Sequence, residues 1–224
     1  MIPKRIHYCW LSGEEFPRKM RDCISSWKAN LRDYEFVLWD MKKVLESGIE
    51  PQGIKWIDQS LAQKNYAFAA DYIRLWALWQ EGGIYLDTDV EVLREFGDLL
   101  KLPRIIGFEG GSRDIEAAVI GAKAGDRLIK KILDSFVEVT LETLPKRMSH
   151  VIDGQADILS EEFLSPKNWK TGRLKVTQST YTIHHFEGSW LKRRERFAQM
   201  IGRRFGEWSV PFARYLGCRI FRDR

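Results

Sequence analysis

Over the first forty residues the spacing of hydrophobic positions changes twice. Lys4-Arg5-Ile6-His7-Tyr8-Cys9-Trp10 reads as a strand, and Ser12-Gly13 follows as a turn. After Pro17, the apolar positions Met20, Cys23, Ile24, Trp27 and Leu31 recur at helical spacing, with Lys and Arg on the outer face. Tyr34 to Trp39 is extended again and stops at Asp40. Strand, helix, strand is the opening unit of a sheet covered by helices.

Residues 41–60 are mixed, and Gly48, Pro51 and Gly53 predict loops around short pieces of structure. Leu61 to Gln80 predicts one long helix, apolar on nearly every side and therefore deeply packed, with Gly82-Gly83 as its stop. Asp71 and Arg74 lie three apart on one face of it. A strand follows from Ile84 to Asp87, with a second extended piece through Val92. Arg104 to Glu109 and Glu116 to Gly121 predict strands around a Gly110-Gly111-Ser112 turn. Asp126 to Thr140 predicts a helix, Gln155 to Leu164 a fainter one, and Tyr181 to Phe186 a late short strand.

Composition narrows the class. With 224 residues, 44% of them apolar and 30% charged, the chain fits one globular domain with a possible appendage rather than a disordered or membrane-spanning protein. No run reaches the 18 or so apolar residues of a spanning helix. Met1 to Arg5 passes into the first strand without a signal-peptide apolar region. Cys9, Cys23 and Cys218 are odd in number and widely spaced, which predicts reduced thiols in the cytoplasm.

The net charge of +5 is unevenly placed. Trp190 to Arg224 holds ten Lys or Arg against three acids, a surplus of +7, and the other 189 residues carry 26 basic and 28 acidic groups. Residues 190–224 therefore form a basic, aromatic, amphipathic tail beside a domain of residues 1–189. The tail is either a solvated helix covering the edge of the core or a segment lying at an anionic membrane surface. Nucleic acid is not expected, because no recognisable binding fold accompanies the charge.

The candidate chemistry lies in Gly82-Gly83-Ile84-Tyr85-Leu86-Asp87-Thr88-Asp89-Val90-Glu91-Val92. In a strand Asp87 and Asp89 would share a face, and two adjacent carboxylates at the end of a buried strand call for a divalent cation. With 14 Asp in the chain, about one Asp-x-Asp arises by chance, so the pattern gains its meaning from its surroundings. Those include Trp10 at the end of the first strand, the buried pair Asp71 and Arg74, and a late block in which His184 and His185 are adjacent. If that block is extended, only one of the two histidines can face the site.

Four blocks, Ile2 to Trp10, Ala69-Ala70-Asp71-Tyr72-Ile73-Arg74, Gly82 to Asp89 and His184-His185-Phe186-Glu187-Gly188-Ser189-Trp190, together resemble the bacterial family 32 glycosyltransferases. These capsular-polysaccharide and lipopolysaccharide sugar transferases are related to yeast mannosyltransferases and more distantly to clostridial glucosylating toxins. The resemblance covers residues 2–190. It implies an α/β fold of the GT-A type, a nucleotide-sugar donor, Mn²⁺ or Mg²⁺, and transfer with retention of configuration.

By the same resemblance Asp89 binds the metal directly, and Asp87 touches the donor ribose or reaches the metal through water. Asp71 and Arg74 hold donor groups, and Trp10 stacks on uracil. His185 completes the metal shell, with Glu187 and Ser189 as substitutes, and Trp190 contacts the donor phosphates. The expected partners are a UDP-sugar and a glycan or lipid-linked acceptor, met at the inner face of the cytoplasmic membrane. A nucleotidyltransferase is the rival enzyme. Against it, the glycine pair stands only four residues before Asp87. A non-catalytic nucleotide-sugar-binding protein is the other alternative.

Overall fold

The computed structural model describes residues 1–63, 65–136, 142–154 and 157–187, together with residue 201. Ser189, Trp190 and the rest of the tail lie outside the described residues, apart from Ile201.

The predicted opening unit is present as β1 (Arg5–Cys9), α1 (Arg18–Asn30) and β2 (Glu35–Trp39). After it come α2 (Met41–Glu46), α3 (Pro51–Ala62) and α4 (Tyr66–Glu81), and then β3 (Gly83–Leu86) and β4 (Val90–Val92). A 3₁₀ turn over Gly97–Lys101 leads to β5 (Arg104–Ile105) and β6 (Val119–Ala122). The remaining elements are α5 (Arg127–Asp134), α6 (Leu144–Ile152), α7 (Glu161–Leu164) and β7 (Thr182–His184).

The main sheet has the order β2-β1-β3-β6-β5. Its first three strands are parallel, and β6 and β5 add antiparallel. β4 and β7 form a separate antiparallel pair. Along β3 the side chains alternate between two cores, with Ile84 and Leu86 on the α1 side and Tyr85 on the side of α4 and α5. Helices thus cover both faces of a mixed sheet.

Two expectations change. Residues 41–60 are mostly helical, and the single helix over residues 61–80 is instead α3 and α4, separated near Asn65. The apolar pattern runs through the break, but the Asn65 N–H turns back to the Ser60 carbonyl at 2.8 Å and ends α3. Gly53 is an element of packing rather than a loop signal. A Cβ there would lie 2.2 Å from the Tyr72 ring, so its absence lets α3 approach α4. Trp56 of α3 then donates its indole N–H to the Phe68 carbonyl of α4 at 2.6 Å.

Where α4 meets β3 the chain must reverse sharply. Gly82 does so at φ 64°, and a Cβ there would lie 2.5 Å from the Ala124 nitrogen. Its carbonyl accepts from His7 Nε2 at 2.9 Å, while His7 Nδ1 accepts from the Trp39 indole at 3.0 Å. His7 is therefore a buried strut joining β1, β2 and the start of β3.

Candidate active site

β3 ends at Leu86, so Asp87 and Asp89 are not on one strand as the spacing suggested. They flank a turn closed by the Val90 N–H to Asp87 carbonyl bond at 3.0 Å, while the Asp87 N–H donates to Ala118 at 2.9 Å. The turn still brings the two carboxylates together, and it hands the chain from the main sheet to the β4–β7 pair.

Asp87 is clamped from below. Arg74 Nη2 lies 3.3 Å from its Oδ1 and Nη1 lies 3.4 Å from its Oδ2, and the Tyr85 hydroxyl donates to Oδ1 at 2.9 Å. The same guanidinium reaches Asp71 Oδ1 at 3.0 Å, the Ala117 carbonyl at 2.7 Å and the Ala70 carbonyl at 3.4 Å, and lies 4.5 Å from the Tyr85 ring centroid. All five N–H groups of Arg74 are thus directed at acceptors within the protein. The predicted neighbours Asp71 and Arg74 are together, with Arg74 turned inward.

Burial governs the protonation of this layer. It pushes the Asp71 carboxyl up to about 7 despite the attraction of Arg74. It also raises Asp87, with Asp89 adding to the rise and Arg74 opposing it. Burial disfavours the Arg74 charge, but Asp87, Tyr85 and Asp71 outweigh it and keep the guanidinium cationic.

Asp89 belongs to a second layer. Its Oδ2 accepts from the Glu187 backbone N–H at 2.9 Å, and its Oδ1 faces His184 Nε2 at 3.6 Å. Burial would push Asp89 up, but His184 and the Glu187 amide outweigh it and hold the carboxyl at about 2. Burial likewise works against a charged His184, while Glu116 and Asp89 on its two sides raise it well above the ordinary imidazole range.

The adjacent histidines are separated by strand register. β4 and β7 pair Val90 with His184 and Val92 with Thr182, so these residues share the inward face. His185 falls on the other face, where Nε2 meets Glu91 Oε2 at 2.8 Å. His185, the expected metal ligand, therefore faces Glu91, and His184 is the histidine that lies with Asp87 and Asp89. Glu187 approaches the site through its backbone N–H. Trp10 stands just beyond β1, half-buried, with its indole N–H on the Glu14 carbonyl at 2.6 Å and its ring 4.6 Å from that of Phe16.

The residues present fit a divalent cation. Asp87, Asp89 and His184 each offer one ligand atom, and these atoms lie within 4.8 Å of one another. Two carboxylates and one imidazole are a donor set suited to Mn²⁺ and similar ions. The 3.6 Å between Asp89 Oδ1 and His184 Nε2 is too long for a direct hydrogen bond, which leaves room for a shared cation.

Two acids that the motifs did not single out also sit here. Glu116 is buried, with Oε2 3.1 Å from His184 Nδ1. Glu109 is pushed up to about 8 by burial and by the nearby charge of Glu116. A carboxylate opening the apolar run Ala117-Ala118-Val119-Ile120 is the signal that could have found Glu116.

Residues 17–106 match the family described as glycosyltransferase sugar-binding region containing DXD motif, with Asp87-Thr88-Asp89 inside the matched span. The chain is similar to "Subversion of eukaryotic traffic protein A" of Legionella pneumophila, at 27% identity over 164 residues, 60% of this chain and 25% of that protein. It is also similar to "Inositol phosphoceramide mannosyltransferase 3" of Schizosaccharomyces pombe, at 34% identity over 103 residues, 46% of this chain and 28% of that protein. The chain thus spans about a quarter of the length of each of these relatives. Among solved structures, the PaToxG glycosyltransferase shares the fold with a TM-score of 0.54 and 21% identity, covering 69% of each chain. Residues 17–106 are thus similar to the DXD-containing glycosyltransferase sugar-binding regions, and the mixed α/β sheet that carries them is a GT-A fold.

Proposed function

We propose that the protein is a metal-dependent retaining glycosyltransferase that moves a hexose or N-acetylhexosamine from a UDP-sugar to a growing, lipid-linked surface glycan of the capsule, O-antigen or lipopolysaccharide type. The observation that carries this reading is the convergence of His184 on Asp87 and Asp89, the two carboxylates inside the span that matches a glycosyltransferase sugar-binding region.

In this reading Asp89 and His184 hold Mn²⁺ or Mg²⁺ directly, and Asp87 contributes an oxygen while orienting the donor. The cation supplies positive charge to the diphosphate as it leaves. Arg74 and Tyr85 fix the Asp87 carboxylate before substrate arrives, so its orientation costs little at the moment of reaction. Asp71 lies beside Asp87 on the same guanidinium, and in this reading it accepts from a donor sugar hydroxyl. Trp10, partly exposed at the end of β1, is the platform for the uracil base.

Asp87 and Asp89 flank a single turn and cannot straddle a sugar ring as the carboxylate pair of a retaining hydrolase does. By resemblance to the family 32 glycosyltransferases, retention in this reading would proceed on one face, with the leaving phosphate accepting the proton of the acceptor hydroxyl. Among the described residues no helix is long and apolar enough to cross a membrane. Contact with a lipid-linked acceptor at the inner membrane face is assigned to the basic tail, residues 190–224, with Ser189 and Trp190 on the donor phosphates.

The test is release of UDP from a panel of UDP-sugars by the purified chain with Mn²⁺. Asp89→Ala is expected to abolish it, and undiminished turnover in that variant would overturn the metal assignment.

A further inference from the structure

An imidazole can act as a metal ligand only if the correct nitrogen is unprotonated and aimed at the ion, and strand register alone secures neither. In β7 the His184 ring is held on three sides. Nε2 faces Asp89 at 3.6 Å, Nδ1 faces Glu116 at 3.1 Å, and the Phe186 ring packs against it with centroids 3.9 Å apart. Phe186 adopts a φ of 55° to do so, a conformation uncommon for a non-glycine residue.

Glu116 is 1% exposed, and burying a carboxylate this deeply is unfavourable unless every oxygen is satisfied. Its Oε1 accepts from the Ala118 N–H at 2.8 Å, and Oε2 faces His184 Nδ1. The Glu116 backbone N–H is tied to the Gly107 carbonyl at 2.8 Å. Both oxygens are thus committed on the far side of the imidazole from Asp89, so Glu116 stands behind the ligand set rather than in it. Burial opposes its ionisation, but His184, Ser165 and the Ala118 amide together keep it a carboxylate.

We infer that Glu116 is a positioning residue for the cation site: it keeps the His184 proton on Nδ1 and so presents Nε2 to the ion held by Asp87 and Asp89. The inference rests on the metal reading above. A carboxylate behind a ligating histidine fixes its tautomer and strengthens it as a donor, and loss of such a partner typically weakens metal binding about 10–100-fold. A plain structural ion pair would leave metal affinity untouched.

The experiment measures Mn²⁺ affinity of the full chain, without nucleotide, by calorimetry and by the electron paramagnetic resonance signal of free Mn²⁺. Wild type, Glu116→Ala, Glu116→Gln, His184→Ala and the double variant Glu116→Ala/His184→Ala are compared, and circular dichroism and thermal melting establish that each is folded. Glu116→Ala is expected to weaken Mn²⁺ binding about 10–100-fold. Glu116→Gln, whose amide oxygen can still accept from Nδ1–H, is expected to weaken it less. In the His184→Ala background the Glu116→Ala change should add nothing, because the effect runs through the imidazole.

Unchanged Mn²⁺ affinity in folded Glu116→Ala, or an undiminished further loss in the His184→Ala background, would overturn the inference. If Glu116→Ala does not fold, Glu116→Gln decides the matter: a weakening that vanishes without His184 supports it, and unaltered affinity refutes it. Wild-type chain that fails to bind Mn²⁺ would remove the metal reading itself. That result is distinct from a wild type that binds beside a Glu116 variant that is indifferent.

Discussion

Arg74 and Asp87 meet in a two-point ion pair, with contacts of 3.3 and 3.4 Å, on the floor of the site. The guanidinium is shared with Asp71 and is 4% exposed, so one buried cation faces two partly buried carboxyl groups. The Asp87 carboxylate is therefore oriented from within the fold.

Replacement of Arg74 by Met is expected to destabilise the protein by about 3 kcal/mol, because it leaves two partly buried acids without their counter-charge. Arg74→Lys keeps the charge but cannot serve Asp71, Asp87, Ala117 and Ala70 together, so an intermediate loss is expected. Urea denaturation of the three proteins checks the order. Equal stability of wild type and Arg74→Met would contradict the clamp.

The two histidines should separate cleanly in a thermal shift with Mn²⁺. A ligand that binds the native state raises the melting temperature, so wild type and His185→Ala are expected to shift upward to a similar extent. His184→Ala should show little shift. The opposite pattern would return the ligand role to His185.

Glu109 gives the site a pH dependence with a definite sign. Its folded-state pKa is raised from 4.5 to about 8, so the native state holds the proton more tightly than the unfolded chain. That contribution to stability is complete below about pH 4.5 and is lost as pH rises towards 8. Glu109→Gln cannot titrate, so its stability relative to wild type should increase across that interval and level off above it. Denaturation midpoints of both proteins from pH 4 to 9 provide the measurement, and parallel curves would refute it.

The elements near the site follow sequence pattern where the pattern is local. The alternation in β1 and the helical spacing from Met20 to Leu31 are satisfied by the nearest sheet and core. The boundary between α3 and α4 was not legible, because apolar residues continue through it and one backbone bond from Asn65 decides it. α6 was missed although Leu144, Met148 and Ile152 recur at helical spacing and Pro145 marks its first turn.

The site divides in the same way. Asp87 and Asp89 stand out as carboxylates at the end of an apolar run, a feature visible within ten residues. His184 against His185 is a two-way choice that alternation poses and only the pairing with Val90 answers. Glu116 meets His184 across 68 positions of chain. No local spacing announces that contact.

The turn at Asp87–Asp89 joins two sheets that share no backbone ladder. Asp87 is anchored to the main sheet through Arg74 and Ala118, whereas His184 belongs to the small β4–β7 ribbon. A cation gripped by both would act as a rivet between them and tie residue 184 to a point almost a hundred residues earlier. Loss of that tie would return loop entropy to the chain, so the ion that readies the donor would also fasten the C-terminal part of the domain to its centre.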